Sequence, residues 1–155
     1  MKKLTENFFR QDPTHVAKEL LGKKLVRVVG GKRLEGIIAM ASAYKGEAER
    51  KLKGLYYAPG QLYLPTFMGG YRKLAIATEN QKKASVITID KVLLEHELLT
   101  SGKICPYFKL DKEWDGKHAC GGELWIEGGK SNYTIEKLED VDMSSNCIGR
   151  YGLRI

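Results

Sequence analysis

Residues 24 to 43 constrain the fold more than any other stretch of this chain. Lys24-Leu25-Val26-Arg27-Val28-Val29 reads as a strand, Gly30-Gly31 follows it directly, and a second extended run goes from about Arg33 to Ala43. Paired glycines supply the positive φ angles of a tight two-residue turn, so the two runs are expected to form an antiparallel hairpin. Side chains alternate along a strand, which predicts Met40, Ser42 and Tyr44 side by side on one surface and Ala39, Ala41 and Ala43 on the other. Three alanines on one face predict close packing of a helix. A candidate precedes the hairpin: Asp12 can cap it and Pro13 suits its first position. Val16, Ala17, Leu20 and Leu21 form its apolar face, and Gly22 ends it.

Upstream, Phe8 and Phe9 precede this helix and are expected to anchor the N-terminus in the core. Beyond the hairpin, Lys45 to Ala58 is polar and charged and reads as a loop or a short helix, and Pro59-Gly60 as a turn. Gln61–Leu64 is a short strand interrupted by Pro65, and Lys73–Thr78 is its return strand, which places Phe67 and Met68 near the tip of a second hairpin. Ala84–Ile89 is β-branched and reads as a strand. Asp90 to about Leu99 reads as a helix on the spacing of Val92, Leu93, Leu94 and Leu98. A short helix is expected at Lys103–Phe108, and strands at Glu123–Glu127, Asn132–Ile135 and Ile148–Ile155. At 155 residues, with no repeat and no linker, the chain fits one domain spanning residues 1–155.

Charge narrows the partners. Twenty-six basic against 19 acidic residues give a net charge of +7, which favours a polyanion such as nucleic acid, with a solvated basic surface without a partner as the alternative reading. The charge is dispersed, with no basic tail, so the fold must build any binding face. No apolar run is long enough to span a membrane, and the N-terminus lacks a signal-peptide core, so an intracellular location is expected. Three widely spaced cysteines, Cys105, Cys120 and Cys147, do not make a disulfide framework. His118 and Cys120 lack a third ligand at metal-binding spacing, so no metal or cofactor is expected.

Several segments, in order, resemble one family. Phe8-Phe9, followed by Val16-Ala17-Lys18-Glu19-Leu20-Leu21-Gly22-Lys23-Lys24-Leu25-Val26-Arg27, is similar to the N-terminus of the alkyladenine (3-methyladenine) DNA glycosylases. Leu34-Glu35-Gly36-Ile37-Ile38, leading to Ala43-Tyr44-Lys45-Gly46, resembles that family's strand ending in Glu-Ala-Tyr-x-Gly. Pro59-Gly60-Gln61-Leu62-Tyr63-Leu64 resembles its Pro-Gly-Thr-Leu-Tyr-Val strand. Ser101-Gly102-Lys103-Ile104-Cys105, with Leu110-Asp111 and Trp114-Asp115-Gly116, resembles its Ser-Gly-Pro-x-Lys-Leu segment and the residues beyond that segment. Ile148-Gly149 resembles a late Arg-Ile-Gly motif. The resemblance implies a mixed α+β domain, with a curved antiparallel sheet and peripheral helices. It also implies duplex DNA as partner, with one nucleotide flipped into a pocket; a monomer is expected.

Hydrolysis of a purine N-glycosidic bond passes through an oxocarbenium-like sugar, and a carboxylate deprotonates and aims the water. By the resemblance, the family's catalytic glutamate falls on Ser42, whose hydroxyl is no base near neutral pH. Losing a general base removes ~10²–10⁴-fold of rate. The wall tyrosine is kept as Tyr44. The family's histidine falls on Lys53, its second wall tyrosine on Pro65, its pocket asparagine on Ala75 and its intercalating tyrosine on Met68, still an apolar wedge. The loop between Lys53 and Pro59 is shorter than the family's, and the Pro-x after Ser101-Gly102 is absent. No nearby acid replaces the glutamate: Glu47 and Glu49 lie beyond Tyr44, and Glu35, seven residues before Ser42, falls on the opposite side of the strand. His15 and His96 read as helix-face residues and Trp114 and Trp125 as core. The expected function is that of a base-excision glycosylase with weak or absent activity. The alternatives are a non-catalytic binder of distorted DNA or RNA, and a fold repurposed for a small-molecule or protein ligand.

Overall fold

The Gly30-Gly31 turn forms with φ of 58° and 75°, and β1 (Lys24–Val29) pairs antiparallel with β2 (Lys32–Tyr44) in the expected register, Val29 opposite Lys32. The structure is a computed structural model that describes residues 2–45, 57–66, 70–79, 85–128, 133–138 and 147–154. Within these residues the chain is a single domain, built on a curled antiparallel sheet with few helices. The other strands are β3 (Leu62–Tyr63), β4 (Leu74–Thr78), β5 (Ser85–Leu93), β6 (Leu98–Thr100), β7 (Leu124–Glu127), β8 (Thr134–Leu138) and β9 (Cys147–Arg154). Their main path is β3-β4-β5-β2-β1-β7, with β6 on β5. The long β2 divides the sheet: its first half pairs with β1 and its second half with β9, which carries β8, while β5 runs along its other edge.

The helices are α1 (Glu6–Phe9), α2 (Pro13–Leu20) and α3 (Ser101–Tyr107). Phe8 and Phe9 sit on their own short helix rather than in a bare lead-in, and Phe9 is fully buried. Asp12 caps α2 by accepting a 2.8 Å bond from the Thr14 amide, with Pro13 at the first position. Val16, Ala17 and Leu20 of α2 share the main core with Ala39, Ala41 and Ala43, so the alanine face does receive a helix. The opposite face of the sheet carries a smaller cluster of Tyr63, Ala75 and Val86, with Tyr44 and Tyr57 packed on it.

The segment from Asp90 to Leu99 is not a helix. β5 runs through Asp90 to Leu93, a turn closes with the Leu94 amide on the Glu97 carbonyl at 2.7 Å, and β6 folds back onto β5. His96 lies exposed in that bend. The run Val86-Ile87-Thr88-Ile89 continues through Val92 because β2, β4 and β6 are all there to pair with it, and ladder formation overrides a local helical spacing. The register between β2 and β5 slips twice: Ile38 faces Val92, Met40 faces Lys91 and Ala41 faces Ile89, leaving Ala39 and Asp90 as extra residues. Such bulges re-aim side chains. Among the described residues no helix is long and apolar enough to cross a membrane.

The strand assignment of residues 90–93 has a direct test. A Cβ at Gly36 would collide with Val92 Cγ1 and lie 2.9 Å from Leu94 Cδ2 and 3.3 Å from the Leu93 carbonyl. Gly36→Ala is therefore expected to cost about 1–3 kcal/mol in urea unfolding. Gly122→Ala, where an added Cβ meets nothing within 4 Å, should stay within about 0.5 kcal/mol. A neutral Gly36→Ala would contradict the β2–β5 packing.

Candidate functional site

One row of residues crosses five strands on the face away from the main core. Tyr63 of β3 is opposite Ala75 of β4, Ala75 opposite Thr88 of β5, Thr88 opposite Ser42 of β2, and Ser42 opposite Arg150 of β9. Directly opposed residues share a face, so these side chains are neighbours. Ser42, fourth in this row, is fully buried. Its hydroxyl donates to Asp90 Oδ2 at 2.5 Å and accepts from Arg150 Nε at 2.8 Å. Thr88 Oγ1 donates to the second Asp90 oxygen at 2.8 Å. Asp90, two residues beyond Thr88 and unpaired in the β2–β5 register, sets this carboxylate beside the row.

Asp90 is the residue that sequence reasoning missed. Placed on a helix, it had no reason to meet Ser42; placed on a continuing strand, it stands two residues beyond Ser42's partner Thr88. Burial pushes its carboxyl above the usual carboxylate range, against the opposing pull of the Ser42 and Thr88 hydrogen bonds and the charges of Lys73 and Arg150. Burial, with Asp90 and Cys147 nearby, likewise raises the Tyr44 phenol, while Arg150 hydrogen-bonds it and pulls the other way. Arg150 thus holds both the Ser42 hydroxyl and the Tyr44 phenol, and it stays charged. Lys73 Nζ lies 5.9 Å from the centroid of the Tyr44 ring.

Tyr44, Tyr57 and Tyr63 gather around Ala75 and Val86. The rings of Tyr57 and Tyr63 meet edge to face at 6.1 Å. Tyr57 is fixed from behind: its phenol donates to Asp115 Oδ2 at 2.5 Å, and the other Asp115 oxygen accepts the Leu64 amide at 2.8 Å. Burial and this bond to a carboxylate push the Tyr57 phenol up to about 12. Of the residues singled out in the sequence, the structure therefore brings together Ser42, Tyr44 and Ala75. Pro65 lies half-buried just past β3, where its carbonyl accepts the Lys73 amide, and Tyr63 rather than Pro65 supplies the ring beside Ala75. Lys53 and Met68, like Glu47, Glu49 and Phe67, lie outside the described residues. Glu35 is exposed and paired with Arg33 and Lys24, so it takes no part here.

Among the described residues no group of three or more His, Cys, Asp or Glu could hold a metal ion, and Cys105, Cys120 and Cys147 form no disulfide. Trp125 is buried as expected, with Lys3 over its ring at 3.9 Å. Trp114 is half-buried between Arg27 at 4.3 Å and Lys117 at 4.6 Å.

No protein-family model matches the chain. Curated proteins do. A relative from Clostridium botulinum (strain Langeland) is 33% identical over 161 aligned positions, covering 81% of this chain and 79% of the relative. One from Alkaliphilus oremlandii is 29% identical, with 94% and 91% covered, and one from Desulfitobacterium hafniense is 24% identical, with 81% and 79% covered. Each carries the provisional name 3-methyladenine DNA glycosylase. The Alkaliphilus alignment runs to 184 positions against a chain of 155, so that relative holds residues where this chain has none.

The buried Asp90 makes a pH prediction. Its folded-state pKa is raised, so the native state holds the proton more tightly than the unfolded chain does, and ionisation opposes folding. Asp90→Asn should therefore gain stability relative to the unsubstituted chain as pH rises from about 4, the unfolded carboxylate value, towards 7. Paired urea titrations across that range measure it; a difference that shrinks with rising pH would mean that Asp90 is stabilised as an anion.

Proposed function

This chain belongs to the 3-methyladenine DNA glycosylase family, and we propose that it binds damaged or distorted duplex DNA with little or no base excision. The observation that carries the proposal is the state of the Ser42 hydroxyl: fully buried, donating to Asp90 and accepting from Arg150. By the family resemblance this is the position from which a glutamate would aim water at the sugar. A serine there brings no negative charge, and both hydrogen bonds of its hydroxyl go to protein. The carboxylate bonded to it, Asp90, is itself buried, with its oxygens accepting from Ser42 and Thr88. The duplex partner is supported by the names of the relatives, the net charge of +7 and the half-buried cations Arg150 and Lys73 beside Tyr44.

The experiment is a single-turnover assay, with protein in excess, on duplexes carrying hypoxanthine, ethenoadenine or 3-methyladenine, with abasic sites then scored. The expected result is no cleavage above buffer, together with duplex binding that weakens steeply with salt. A second reading, that Asp90 is a relocated general base, is favoured by its raised pKa and its bond to Ser42. Excision that disappears in Asp90→Asn would establish that reading in place of the first.

Restoring the acid alone is expected to fail. Ser42→Glu sets a second carboxylate into a fully buried position beside Asp90, and like charges in one site cannot both ionise. The single variant should lose about 2–4 kcal/mol. The double variant Ser42→Glu with Asp90→Ser should recover most of that loss, because Arg150 then faces one carboxylate. Urea melts of the two, each also tested for excision, decide the point.

A further inference from the structure

A cavity of about 420 Å³ opens between α3 and the residues that lead into β4, within the range of roughly 300–1,000 Å³ usual for small-molecule sites. It shares no residue with the Ser42 row. Its floor is apolar. Cys105 and Leu110 are buried there, and burial pushes the Cys105 thiol up to about 12 against the pull of Arg72, so the floor stays neutral. One wall is the ring of Tyr71, seated on the first turn of α3, where a Cβ at Gly102 would lie 3.4 Å from Tyr71 Cγ. The rim is charged. Arg72 is half-buried and oriented by one bond, from Nη1 to the Leu64 carbonyl at 3.1 Å, and among the described residues its Nε and Nη2 make no hydrogen bond or ion pair. Lys109 follows α3 in the left-handed region, at φ 57°, and its ammonium makes no ion pair among the described residues. Asp111 accepts the Glu113 amide on one oxygen at 3.0 Å.

We propose that this cavity binds a small monocarboxylate with a compact apolar body, the carboxylate held by Arg72 and Lys109 and the body lying on Tyr71, Cys105 and Leu110. A guanidinium fixed at Nη1 presents Nε and Nη2 as a fork, which a carboxylate fills with two parallel hydrogen bonds, and the lysine adds a point charge. Two cations and one carboxylate leave the rim with a single positive charge in excess, which suits a monoanion. A second negative charge would meet Asp111. An amine of the same shape would set a like charge against Arg72, and an anion without the apolar body would leave the floor uncovered. This site goes beyond duplex binding and does not depend on it.

Amide chemical shifts of the isotope-labelled full chain test this with four probes. Phenylacetate should bind with a Kd of about 1 mM and move the amides of Tyr71, Arg72, Cys105 and Leu110. Benzylamine reverses its charge, phenyl phosphate doubles it and dimethyl phosphate lacks the ring, so each should bind about tenfold more weakly or worse. Arg72→Gln should weaken phenylacetate about tenfold. Because Arg72 also ties down Leu64, two variants of exposed residues accompany it. Lys109→Gln should weaken phenylacetate severalfold. Asp111→Asn, which can still accept the Glu113 amide, should tighten it severalfold with the melting temperature unchanged, because the rim anion is gone. Saturable shifts at these amides, in this order of probes and variants, support the site. Three results would overturn it: no saturable shift there, benzylamine or either phosphate binding as tightly as phenylacetate, or an affinity that none of the three substitutions changes. Each of them would leave duplex binding standing.

Discussion

The hydroxyl of Ser42 is the point on which three strands of this sheet agree. β2 carries it, β5 supplies its acceptor in Asp90, and β9 supplies its donor in Arg150. Asp90 and Arg150 are both charged or chargeable, and hydrogen bonds to such groups are worth about 1.5–3 kcal/mol each, while an orphaned buried partner costs more than the bond returned. The interaction also fixes register. A slip of β5 by one residue would turn Asp90 to the core face, where Ala41, Ala43, Ile87 and Ile89 pack. The register slips between Ile38 and Ala41 lie directly beside this interaction.

The local elements were legible because their signals are local. The Gly30-Gly31 turn needs positive φ, Asp12 and Pro13 start a helix by geometry confined to one turn, and the alanines of β2 declare a close neighbour by their size. Asp90 was illegible for the opposite reason. Its immediate sequence offers an apolar spacing that fits a helix, while the forces that keep it extended come from β2, β4 and β6. One wrong element therefore concealed the carboxylate bonded to Ser42. A search for a replacement acid limited to the neighbourhood of residue 42 could not reach a partner 48 positions away.

A gentler version of the same difficulty affects the aromatic cluster. Matching residues to a family pattern puts a wall position on Pro65, yet a proline has no amide for a ladder and sits past the end of β3. The ring beside Ala75 comes from Tyr63, within the strand, and a further ring arrives from Tyr57. The basic surplus is similarly divided on inspection. Arg27 is buried, with its guanidinium donating to the Phe108 carbonyl at 3.0 Å and the Val28 carbonyl at 2.7 Å, so it staples the fold rather than facing a polyanion. Net charge announces a partner class; the structure assigns the individual cations to separate tasks.

Asp115 has a consequence for how this domain tolerates change in length. It grips the Tyr57 phenol with one oxygen and the Leu64 amide with the other, while at the far end of the intervening stretch Lys45 reaches Asp12 at 3.2 Å and Glu79 at 3.6 Å. Both ends of the span from Lys45 to Tyr57 are moored to the body of the protein by contacts that do not involve the residues between them. The two moorings act as a socket: segments of different length can be exchanged there without re-registering the sheet. Closing a longer segment between fixed ends adds only about 0.6 kcal/mol per doubling. Insertion and deletion between relatives, and grafting by design, can then proceed at this span while the Ser42 row stays in place.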